Sequence, residues 1–115
     1  MLAAAIEVHR LLGPGLLESV YEEALGLELG FQGLSFARQA VIAVDYKGHP
    51  VGHARIDLLV ANRLVVELKA VETLAPVHVA QVLSYLKMAR LPLGLLINFN
   101  TPVLLRGVRR VVRTR

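Results

Sequence analysis

The 115-residue chain contains no cysteine, which excludes disulfide bonds and every metal site built on thiolates. Its histidines, His9, His49, His53 and His78, lack the spacing of a zinc site. His9 and His78 are expected to hydrogen-bond in the core or at its rim, His49 and His53 to face solvent. Long apolar runs are also missing. The longest stretch without a charged residue, Leu91 to Leu105, carries Pro92 and Pro102 and falls short of a bilayer span. No basic segment precedes an apolar run at the N-terminus, where Glu7, His9 and Arg10 follow Met1 closely. A secretory signal is therefore not expected, and the cytoplasm is the expected location. There is no internal repeat or low-complexity linker. At this length, with 55% hydrophobic residues, the expectation is one domain over residues 1–115, with some apolar surface left for a homo-oligomer contact.

What charge there is lies unevenly. Much of the net +4 comes from Arg106, Arg109, Arg110, Arg113 and Arg115. A basic end attracts nucleic-acid phosphates without reading sequence. The same residues also fit a solvated strand edge that keeps an apolar domain soluble.

Ala4, Val8 and Leu11 or Leu12 recur at helical spacing and predict a helix over Ala3 to Leu12, stopped by Gly13-Pro14-Gly15. Leu17, Val20, Tyr21, Ala24, Leu25 and Leu29 predict a second over Leu16 to Leu29, ended near Gly30 or Gly33. Glu18 and Tyr21 share a face of it, while Glu22, Glu23 and Glu28 are expected as ordinary helix surface. The stretch Arg38 to Tyr46, a turn at Lys47-Gly48-His49-Pro50, and the runs Val51 to Val60 and Leu64 to Lys69 predict three antiparallel strands. Pro76 suits the first turn of a helix reaching Ala89, with Thr73 as a nearby cap. Leu93 to Phe99 reads as a buried strand, and Gly107 to Arg113 adds an edge strand. A strand-helix-strand unit is right-handed with parallel strands. The expected class is therefore α/β: two helices, a three-strand antiparallel meander, a crossover helix, a parallel fourth strand and a C-terminal edge strand.

The chemistry concentrates between Arg55 and Lys69. Pairing Val60 with Leu64 across a loop of Ala61, Asn62 and Arg63 sets Asp57 opposite Glu67. Facing residues have Cβ atoms about 5 Å apart, near enough for two carboxylates to share one divalent cation. An even-numbered loop would turn Glu67 to the other face. Lys69 lies two residues beyond Glu67 on the same face. Charges on so apolar a strand pair are costly unless compensated, either by a cation or by an ion pair of Lys69 with Glu67 or Asp57. Oxygen ligands select Mg²⁺ or Mn²⁺. His78, Gln81 and Tyr85 follow at steps of three and four on the next helix, a polar row that meets either this face or solvent.

An acidic helix residue, an aspartate on one strand, Glu-x-Lys on the next and Gln-x-x-x-Tyr on the following helix together resemble the PD-(D/E)XK nuclease superfamily, in the style of RecB-type and lambda-exonuclease-like cores. Glu18, Asp57, Glu67, Leu68, Lys69, Gln81 and Tyr85 match that arrangement in order. More closely, Gly15-Leu16-Leu17-Glu18-Ser19-Val20-Tyr21, Glu67-Leu68-Lys69-Ala70-Val71 and Leu95-Leu96-Ile97-Asn98-Phe99-Asn100 resemble the bacterial GxxExxY family. The proline that names the superfamily is absent, Ile56 standing before Asp57. The resemblance implies a Mg²⁺- or Mn²⁺-dependent nuclease hydrolysing DNA phosphodiester bonds. In it Asp57, Glu67 and the Leu68 carbonyl bind the cation, Glu18 contributes directly or through water, Lys69 activates the water, and Gln81 and Tyr85 position the phosphate. Arg109, Arg110 and Arg113 become candidates for the nucleic-acid backbone. The competing expectation is a binding module for nucleic acid or protein that keeps the fold without catalysis.

Overall fold

The computed structural model describes residues 1–114. Helix α1 (Leu2–Leu12) stops where Gly13 takes a positive φ of 68°. Helix α2 (Glu18–Phe31) begins two residues later than the apolar spacing suggests, because the preceding segment is tied into a loop: the Tyr21 hydroxyl donates to Gly13 O at 2.6 Å and accepts the Leu16 N–H at 3.1 Å. The Tyr21 ring stacks on Phe99, with centroids 4.5 Å apart and planes 8° apart.

Strands β1 (Phe36–Tyr46) and β2 (His49–Val60) form a long hairpin. Its turn is Lys47-Gly48, both at positive φ, the geometry that matches the twist of the strands it joins. The four-residue turn expected from the sequence is thus two residues long, and His49 and Pro50 belong to β2. Pro50 is tolerated because β3 pairs with β2 only from Leu58 onward, so its missing N–H faces no ladder partner on that side.

Strand β3 (Leu64–Lys69), helix α3 (Pro76–Ala89) and β4 (Leu93–Asn98) form the crossover unit, with β3 and β4 parallel. A short 3₁₀ turn (Leu104–Gly107) leads to edge strand β5 (Val108–Val112), antiparallel to β4. The sheet order is β1-β2-β3-β4-β5. Helix α3 starts at Pro76 without Thr73 as its cap; instead His78 Nδ1 accepts the Ala75 N–H at 3.0 Å, and His9 Nε2 lies 2.7 Å from Thr101 O. Exposed His49 and His53 match their expectation.

Two apolar layers flank the sheet. Leu58, Val60, Val66, Leu68, Leu95 and Ile97 pack with α1 and α2. Ile42, Ile56, Val65, Leu96 and Val111 pack with Val82 and Leu86 of α3. In a regular strand Ile56 and Leu58 would share a face, yet they lie in opposite layers. Phe36 and Ala40 of β1 divide in the same way. The hairpin therefore changes face once, between the pairs Arg38–Leu58 and Ala40–Ile56, at Gln39 and Asp57. Apolar surface does remain exposed along α1 and α2, at Leu11, Leu27 and Phe31 among others. Among the described residues no helix is long and apolar enough to cross a membrane.

Candidate active site

The three-residue loop and the pairs Leu58–Val66 and Val60–Leu64 occur as the sequence predicts. One position further, the ladder gives way to side chains. Glu67 Oε1 accepts the Asp57 N–H at 2.8 Å, and Asp57 Oδ2 accepts the Leu68 N–H at 2.9 Å. Each carboxylate thereby satisfies an amide that the parting strands would have left buried without a partner. A strand residue points its N–H and C=O to the same side, so the Leu68 carbonyl faces this gap as well.

The gap is short of positive charge. Glu67 is 4% exposed, and its carboxyl is pushed up to about 8, first by burial and then by the Asp57 charge, against the pull of the Asp57 N–H and of Lys69. Asp57 is also raised, chiefly by burial and further by Glu22, while the Leu68 N–H, Gln39 and Lys69 act the other way. Glu18, in the first turn of α2, is raised by burial; Lys69 opposes the rise, and Asp57 and Glu22 add to it. Tyr85 is raised by burial and by Glu67 and Asp57, against a hydrogen bond from Gln81. Glu18, Asp57, Glu67, Lys69, Gln81 and Tyr85 thus act on one another electrostatically, although they come from two helices and two strands. Lys69, His78, Gln81 and Ser84 line a cleft of ≈ 450 Å³ beside the gap.

Among the described residues no three His, Asp or Glu side chains stand close enough to hold a metal ion by themselves. The donors nevertheless suit a hard cation: two carboxylates and a main-chain carbonyl, all oxygen, with Glu67 turning Oε1 toward the Asp57 amide. Magnesium in such a setting keeps several waters.

Glu22 and Asn98 also belong to the site, although neither was expected there from the sequence. Glu22 is 9% exposed and corrects the assignment of this residue to ordinary helix surface: it accepts hydrogen bonds from Arg38 and Gln39. Its place four residues after Glu18, on the same helix face, was the available signal. Glu23 is exposed and pairs with Arg38 at 2.8 Å. Asn98, 2% exposed, clamps the segment after Lys69. Its Oδ1 accepts the Val71 N–H at 3.0 Å and its Nδ2 donates to Val71 O at 2.8 Å. The Phe99 N–H donates to Lys69 O at 2.9 Å. Tyr21, Phe99, Asn98 and Lys69 therefore link the segments 15–21, 67–71 and 95–100 physically.

The C-terminal arginines do not form one patch. Arg109 shares the α3 face with Val111 and lies in register with Leu96, itself beside Glu67. Arg110 points to the opposite face by alternation. Arg113 donates to Leu91 O at 3.0 Å, at the end of β4 remote from Lys69.

Comparison with known proteins supplies the family. No curated protein and no solved structure matches the chain significantly. A family model described as the PD-(D/E)XK nuclease superfamily matches residues 1–111. With that match, and the mixed sheet that joins an aspartate on β2 to Glu-x-Lys on β3, the chain belongs to the PD-(D/E)XK nuclease superfamily.

Proposed function

We propose that the chain is a Mg²⁺-dependent nuclease of the GxxExxY type that hydrolyses DNA phosphodiester bonds. The observation that carries this reading is the reciprocal bonding of Asp57 and Glu67 in a gap where buried carboxylates outnumber the cations, with Lys69 at its edge. A binding surface has no need of two buried carboxylates that repel each other.

In this mechanism Asp57, Glu67 and the Leu68 carbonyl would hold the cation, with Glu18 contributing directly or through water. A cation held there would lower the pKa of water and offset charge developing at phosphorus. Lys69, fixed at the end of β3 by the bond between its carbonyl and Phe99, orients the attacking water and, as the neutral amine, receives its proton. Gln81 and Tyr85, on the cleft side of α3, direct the scissile phosphate. The test is calorimetric titration with Mn²⁺ and Mg²⁺, followed by incubation with single- and double-stranded DNA. Retained DNA affinity without metal binding or cleavage would assign the chain to the non-catalytic class.

Glu18→Gln is expected to lower Mn²⁺ affinity or cleavage by about ten-fold or more, the scale of an outer ligand. Glu23→Gln should change little, because an exposed ion pair contributes little. Equal small effects at both positions would remove Glu18 from the site.

Replacing Arg109, Arg110 and Arg113 by Ser should weaken DNA binding and flatten its salt dependence by up to ~0.9 log unit for each phosphate no longer neutralised. From its place on the α3 face, Arg109→Ser alone should produce more of that change than Arg110→Ser. An unchanged slope in the triple variant would leave these arginines a role in solubility only.

A further inference from the structure

Gln39 occupies a conformation with φ of 52°, one that ordinary side-chain-bearing residues adopt at a cost and that glycine and asparagine favour. It stands across from Asp57 at the point where the hairpin changes face, and the two form no ladder pair although their neighbours Arg38–Leu58 and Ala40–Ile56 do. Its side-chain Nε2 lies 3.0 Å from Glu22 Oε1 and 3.4 Å from Asp57 Oδ1. A nitrogen between two carboxylate oxygens donates one hydrogen to each, since the amide oxygen in that place would face two negative atoms. Glu22 is held in turn by Arg38, whose Nη2 and Nε donate to its Oε2 at 3.0 and 3.3 Å.

We propose that Gln39 is a positioning residue for Asp57, and that Glu22 fixes its amide with the N–H side toward the Asp57 carboxylate. With Oδ1 held by Gln39 and Oδ2 by the Leu68 N–H, both oxygens of Asp57 are directed, and the rotation of the carboxylate about its own bond is lost. The left-handed backbone is what lets a β1 residue turn its side chain into the sheet gap and reach α2 at the same time. A regular strand residue would point to one face only. The inference deepens the nuclease reading and rests on it for the role of Asp57 as a cation ligand.

The test uses Gln39→Gly, Glu22→Gln and the double variant. Glycine suits the positive φ, so Gln39→Gly removes the amide with little disturbance of the backbone, and its melting temperature is expected to stay near that of wild type. In Glu22→Gln the new carboxamide would still accept from Arg38 but would let the Gln39 amide turn over. Each single variant should lower Mn²⁺ affinity, measured by calorimetry, about ten-fold. The double variant should lose no more than the worse single one, because both cut the same chain of hydrogen bonds. In metal-free protein the Leu68 amide proton should move upfield and exchange faster by NMR in each variant. The Phe99 amide, bonded to Lys69 O, should not move, and Glu28→Gln, whose carboxylate is bonded to Gln32 instead, should leave every readout unchanged. Additive losses, or a Leu68 amide and Mn²⁺ affinity unaltered in Gln39→Gly, would overturn the proposal. If wild-type protein binds no Mn²⁺, the nuclease reading fails by itself, and the Leu68 amide still decides whether Gln39 holds Asp57.

Discussion

Asp57→Asn is expected to reduce Mn²⁺ affinity and cleavage by more than about 100-fold, beyond the range for an outer-shell group, without lowering the melting temperature. The carboxamide oxygen can still accept the Leu68 N–H that Asp57 Oδ2 accepts, so the buried amide keeps its partner. Its NH₂ would face the Gln39 donor, but that contact is long at 3.4 Å. Against this small loss, the substitution removes the negative charge that raises Glu67, so the metal-free protein should be as stable as wild type or slightly more so. Asp57→Ala is the informative contrast. It leaves the Leu68 N–H without an acceptor, at a cost of roughly 1–3 kcal/mol, and should melt lower. Calorimetry and thermal unfolding of the two variants separate ligand loss from fold loss. An Asn variant that takes up Mn²⁺ as wild type does would exclude Asp57 as a ligand.

The second large effect follows from Glu67, which burial and Asp57 push up to about 8 from 4.5. Near pH 7 the metal-free carboxyl then holds its proton, and a cation must displace it. Binding should release close to one proton per ion, and apparent affinity should rise about ten-fold per pH unit before levelling near pH 8. Titrations in buffers of different ionisation enthalpy measure that proton directly. Stability of the metal-free protein runs the other way. Below 4.5 both folded and unfolded chains keep the proton, and the Glu67 contribution is fully present. As pH rises toward 8 the unfolded chain releases the proton first, and stability falls, by an amount on the order of a few kcal/mol. Asp57 and Glu18 are raised as well, so Glu67→Gln should flatten this fall without removing it. A wild-type protein equally stable across that range, binding cations without proton release, would contradict the assignment.

Much of the site could be read locally. The three-residue loop at Ala61, Asn62 and Arg63 and the register it imposes on β2 and β3 follow from two apolar runs of fixed length, because a short antiparallel connection leaves a single register that buries both runs. The crossover helix starting at Pro76 and the edge strand β5 are equally local. Two boundaries differ from the sequence expectation for a shared reason. Pro50 resembles a turn residue until the absence of a β3 neighbour makes its missing donor harmless, and the start of α2 depends on Tyr21 reaching back to Gly13.

Sequence by itself determined the order of elements, the pairing of β2 with β3, and the presence of Asp57, Glu67 and Lys69 on adjoining strands. Tertiary structure alone decided that the hairpin changes face at Gln39 and Asp57, that Glu22 is buried beside them, and that Asn98 and Phe99 fix the segment carrying Lys69. Nothing local marks glutamine for a positive φ, and a glutamate on an amphipathic helix reads as solvated until its partners are in place. These features arise where α2 meets the β1–β2 hairpin and where the end of β4 meets the segment after β3, from hydrogen bonds between residues 16 to 30 positions apart in the chain, and such contacts exist only once the sheet and its two helical layers have closed.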